Sequence, residues 1–188
     1  MRCFLLIGSL CYSLVISTAM ATTFHDEVYE GSLTAHEHGR AQLNIAISDD
    51  TLEIGLDSAA INLVGFEHIP TTESDKTLAS QAQLQLNNPL ILFAIPTVAK
   101  CSLIDKEIIS PIFVNQAINN NIAQKLTHLD IEANYSFTCA NITELNQLDL
   151  SYFFKHFPNT NKLTIQYISD NGQKGIDLTP AKPLFKLQ

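Results

Sequence analysis

Ile131-Glu132-Ala133-Asn134-Tyr135-Ser136-Phe137-Thr138-Cys139 places an apolar or small residue at every second position. Side chains of a strand alternate between the two faces of a sheet. A period of two therefore predicts a strand with one buried and one wet face. The same pattern runs through Ala41–Ile47 and Leu52–Leu56, and Ser48-Asp49-Asp50 between them supplies turn residues, so the two predict a hairpin. Leu163–Tyr167, the turn signal Asp170-Asn171-Gly172 and Gly175–Leu178 predict another. Cys101–Ile104, Ile108–Ile109 and Leu148–Phe153 read as further strand segments.

Helical signals are fewer. Ser58–Phe66 reads as a short helix with Ser58 as N-cap and Pro70 closing the segment. Thr71–Leu86 reads as a longer one. Thr71 or Thr72 offers a cap, Glu73 and Asp75 suit the positive end, and Leu78, Ala82 and Leu86 share a face. Asn88-Pro89 puts Pro at the first position of a new turn. Asn141-Ile142-Thr143-Glu144 has the spacing of a helix-start capping box. The Asn- and Gln-rich stretch from Asn115, taken as a linker over residues 115–127, divides the chain. On either side of it the order recurs: His38, two strands and Phe66-Glu67-His68-Ile69-Pro70, then His128, two strands and Phe154-Lys155-His156-Phe157-Pro158. The echo suggests duplication, with chance similarity of two hairpins as the alternative. The predicted class is α+β: a β-rich single domain over residues 33–188, of two similar halves built from antiparallel hairpins and short helices, with one disulfide.

Met1-Arg2, the apolar run Phe4–Ile16 and Ala19-Met20-Ala21 together form a secretory signal over residues 1–21, cleaved after Ala21. Residues 22–32 are polar and acidic and read as a flexible arm. No second hydrophobic span follows, so no membrane insertion is expected after cleavage. Cys3 and Cys11 leave with the signal. Cys101 and Cys139 then remain in an oxidising compartment, where they are expected to form a disulfide. The alternative is a shared metal site, for which CxxC spacing is missing. The formal charge is −8, with no Lys/Arg cluster, which excludes a nucleic-acid or anionic-lipid footprint and is compatible with divalent cations. A composition of 46% hydrophobic and 16% charged residues excludes a disordered chain.

Chemistry concentrates in the histidines. In His36-Glu37-His38-Gly39, an extended backbone would point His36 and His38 to one side, offering two imidazoles to one ion. Zinc takes such ligands in tetrahedral array. His68 and His128 are the candidates to complete the set, with a water, Glu67 or Asp130 in the fourth place. Solvated histidines ahead of a strand are the alternative reading, and copper is a less favoured ion. There is no H-E-x-x-H, no G-x-S-x-G and no Gly-rich phosphate loop, so nothing points to an enzyme.

The stretches His36-Glu37-His38-Gly39 with Ala41–Ala46, Leu52-Glu53-Ile54, Ala59 through Gly65-Phe66-Glu67-His68, Ala133–Asn141, Phe157-Pro158 and Leu178-Thr179-Pro180-Ala181 resemble the ZrgA-type periplasmic zinc-uptake proteins. Cys101 matches the family's other cysteine. The resemblance covers about residues 33–188. It implies a periplasmic, non-enzymatic zinc-binding protein that assists zinc acquisition and hand-off beside an ABC-type zinc importer. Relatives commonly carry a His/Asp-rich run mid-chain, whereas this chain has Asn119-Asn120-Asn121 and no His before His128. A module of the cell envelope without metal, its histidines incidental, is the alternative function.

Overall fold

Strand β1 (Arg40–Ser48) turns through Asp49-Asp50 into β2 (Thr51–Ala59), with Ser48 paired to Thr51. Asp49 takes φ +52°, a left-handed conformation that Asp tolerates better than most residues. The hairpin is the one the alternation predicts. In the computed structural model, residues 37–113 and 129–187 are described. The stretches read from the sequence as a signal (1–21), an arm (22–32) and a linker (115–127), together with His36 and His128, lie outside them.

The chain continues directly from β2 into α1 (Ala60–Val64), then α2 (Glu73–Leu86), α3 (Pro89–Leu92) and β3 (Cys101–Ile109). After the linker come β4 (Asp130–Cys139), β5 (Gln147–Asp149), α4 (Ser151–His156), β6 (Lys162–Ser169), β7 (Gly172–Leu178) and β8 (Leu184–Lys186). Six strands form one mixed sheet in the order β3-β4-β2-β1-β6-β7, and β5 and β8 form a small second sheet. Every pair in the large sheet is antiparallel except β1 with β6. The β-rich α+β class with one disulfide is therefore what the chain adopts.

Alternation decides which face is dry. Leu43, Ile45, Ile54, Leu56, Ala133, Tyr135, Phe137, Leu163 and Ile165 are all buried. Ala82, Leu86, Leu92, Phe93, Phe153 and Phe157 belong to the same core from the helical side. The other face carries Asn44, Glu53, Asn134 and Gln166 along a trough of about 1010 Å³, which no described histidine lines. Tyr135 donates its hydroxyl to the carbonyl of Leu86 at 2.9 Å, satisfying one of the free carbonyls at the end of α2. Burial pushes that phenol well above its usual range.

Several sequence expectations change. Ser58 lies inside β2 and is not the N-cap of α1, which is Ala59. Helix α1 begins at Ala60 and stops at Gly65, whose φ of +88° makes a left-handed C-cap. In α2 the buried face is Ala79, Ala82 and Leu86, and Leu78 stays 42% exposed. Asn141 caps no α-helix: Ile142–Glu144 is one 3-10 turn without a side-chain cap. Leu148–Phe153 splits into β5 and α4, because Asp149 accepts from the N–H of Ser151 and starts a helix there. The echo of the two halves does not extend to strand pairing. β1 pairs with β2 as a hairpin, whereas β4 pairs with β2 and β3, and β5 pairs with β8.

Candidate metal centre

The segment before β1 is a turn, not an extended strand. The N–H of Arg40 donates to the carbonyl of Glu37 at 3.0 Å, closing a four-residue turn with Gly39 third at φ +83°. A positive φ at that position is what a type II turn requires and is why glycine stands there. His36, the other histidine of the i, i+2 pair, lies outside the described residues. Glu37 turns back on Arg40, with carboxylate and guanidinium 3.1 Å apart.

The turn is held from two sides. Asn62 on α1 accepts the N–H of Gly39 at 2.7 Å and donates to the carbonyl of Arg40 at 2.7 Å. The carbonyl of Gly39 accepts from the N–H groups of Asn161 and Lys162 at 2.7 and 2.9 Å. Asn159 donates to the carbonyl of Ile61 at 3.1 Å, and the hydroxyl of Thr160 to that of Asn62 at 3.4 Å. The loop that enters β6 thus grips both the turn and α1.

This arrangement joins two motif segments that are far apart in sequence. Nε2 of His38 lies 3.2 Å from Oε1 of Glu67, which follows α1 just past Gly65. The imidazole is 60% exposed and the carboxylate side chain 14%. The pair offers an open nitrogen ligand beside a sheltered oxygen ligand, both of types zinc accepts.

His68 points elsewhere. Its Nε2 lies 3.4 Å from Oδ2 of Asp75 and its ring packs on Phe66, with centroids 4.8 Å apart. Asp75 also completes the capping box of α2 with Thr72. Its carboxyl is held below the ordinary range, chiefly by the side-chain hydrogen bond with Thr72. His156 packs its ring on Tyr152 at 4.2 Å. Among the described residues, no three His, Cys, Asp or Glu side chains converge as an ion site. Cys101 and Cys139 are joined as a disulfide and are not ligands.

Sequence reasoning named Glu67 only as one candidate for a fourth place and did not name Asn62. The signal for Asn62 is a single amide inside the apolar run Ala59-Ala60-Ile61-Asn62-Leu63-Val64. A buried amide must find partners.

No curated protein matches the chain. The model of a family described as ZrgA family zinc uptake protein matches residues 35–187, a span that contains the turn, α1, Glu67 and every described strand. The chain belongs to the ZrgA family of zinc uptake proteins.

Proposed function

We propose that the protein is a non-enzymatic zinc carrier of the periplasm, taking up zinc as cargo at the His38–Glu67 site and passing it to an importer. The observation that carries the reading is the 3.2 Å contact between these two side chains, which unites the Glu37–Gly39 and Gly65–His68 segments. His36 adjoins the turn in sequence and is the next ligand we assign, with His128 as a further one. A half-exposed imidazole beside a sheltered carboxylate suits cargo that must also leave. An enclosed four-ligand site would instead suit a structural ion. Family membership supports zinc over copper. The disulfide supports export, since such bonds persist in oxidising compartments. Among the described residues no helix is long and apolar enough to cross a membrane.

Zinc titration calorimetry of the mature protein tests this. About one zinc ion should bind. His36→Ala with His38→Ala should remove most of the affinity, Glu67→Gln should weaken it, and His25→Ala should leave it unchanged. Affinity should fall with acidification, because a protonated imidazole has no lone pair to give. Wild-type affinity in the double variant would overturn the site.

A further inference from the structure

We infer that Asn62 is the positioning residue of this site, an inference that rests on the zinc reading above. It is 1% exposed, on a helix of five residues. Its amide has one acceptor and two donor hydrogens, and each is placed. Oδ1 takes the N–H of Gly39 at 2.7 Å, and Nδ2 gives one hydrogen to the carbonyl of Arg40 at 2.7 Å and the other to Oγ of Ser58 at 3.2 Å. Two of these bonds go to the backbone, one to the N–H of the peptide that follows His38 and one to the carbonyl of Arg40. They fix the turn that carries the imidazole, and they do so from the helix that leads to Glu67. Asn62 therefore sets the distance between the two ligands without touching the ion.

The rest of the packing there is consistent with a latch. The hydroxyl of Thr160 and the N–H groups of Asn161 and Lys162 hold the backbone of Asn62 and Gly39 from the opposite side. The Thr160 contact ends on the helix backbone, and Asn161 and Lys162 both reach one group of the turn, the carbonyl of Gly39. The side chain of Asn62 alone reads an N–H and a C=O of the turn together, and so sets its orientation. Residues that orient a ligand in this way are commonly worth 10–100-fold in metal affinity.

The test compares two buried deletions in one network. Ser58→Ala removes a partner of Asn62 and leaves both bonds to the turn in place. Asn62→Ala removes the bonds to the turn. Both should lower the unfolding temperature, but only Asn62→Ala should weaken zinc binding, by about tenfold or more. Equal losses of zinc affinity in the two variants, or wild-type affinity in Asn62→Ala, would overturn the proposal. In the wild-type protein without metal, the amide of Gly39 should be protected from hydrogen exchange. Exchange at the rate of an open turn would overturn the latch even if Asn62→Ala did not fold. His38→Ala separates the two levels. If it binds zinc as the wild type does, the zinc reading fails, and the latch is then judged on Gly39 exchange alone.

Discussion

Gly39 meets two constraints at once. Its φ of +83° is a conformation that costs an L-residue about 1–2 kcal/mol. A Cβ built there would also lie 2.7 Å from Nδ2 of Asn161, which would have to move. Gly65, at φ +88°, has only an ordinary contact at 3.6 Å from Nδ2 of Asn159. Gly39→Ala should therefore cost more stability than Gly65→Ala, roughly 2–3 kcal/mol against about 1. Urea denaturation of the two variants gives the comparison, and equal midpoints would mean that Asn161 yields freely. Two His at i and i+2 argue for one ion only if the backbone through them is extended, and His36 lies outside the described residues. The residue types of the site, His38 and Glu67, were legible because they are the chemistry zinc uses. Their meeting across 29 positions was not, since it depends on the bonds Asn62 makes to a turn.

Among the elements, α2 was legible at its start, where Thr72 accepts the N–H of Asp75 at 3.1 Å and Asp75 accepts that of Thr72 at 3.2 Å. Capping depends on a few adjacent residues, which is why it can be read locally. The buried face of α2 was displaced by one residue because Ala79 packs where the pattern favoured Leu78. Thr72→Ala should cost about 1 kcal/mol. Since the carboxyl of Asp75 is lowered in the folded state, its contribution is present above the ordinary carboxylate range and is lost as acid titrates it through the folded value. Asp75→Asn should therefore flatten the acid limb of a stability–pH curve, and an unchanged limb would count against this role. The strongest link between elements is covalent. Cys101 and Cys139 are directly opposite on β3 and β4, with Cα atoms 3.9 Å apart and a sequence separation of 38. Closing a loop of that length is worth about 4 kcal/mol on the chain-entropy estimate. Reduction should lower the unfolding free energy by about 2–5 kcal/mol and the denaturation midpoint with it. A midpoint unaffected by reductant would show that β3 holds its place without the bond.

At the scale of the whole molecule, the sequence specified that strands exist and which side of each is buried, because a period of two is local information. It did not specify neighbours. The parallel pairing of β1 with β6 brings together Arg40 and Lys162, Leu43 and Ile165, Ile47 and Ser169, across everything from β2 to α4. Nothing in either strand alone names the other. The echo of the two halves does not reach the pairing for this reason: β4 pairs with β2 and β3, and β5 with β8. The consequence can be measured. A fragment ending at residue 113 keeps β1, β2 and β3, but loses β4, the partner of both β2 and β3, and β6, the other partner of β1. It would expose Leu43, Ile45, Ile54 and Leu56 on a hairpin of two strands, and such a hairpin is marginal in water on its own. The fragment should show poorly dispersed amide resonances and no cooperative thermal transition, although it carries His36, His38, Asn62 and Glu67 in full. It should bind zinc far more weakly than the whole chain, because the grip of Asn161 and Lys162 on Gly39 comes from the missing half. A cooperative transition in the fragment would show that the first half folds without the second, and zinc binding at full strength would show that the turn and α1 assemble without it.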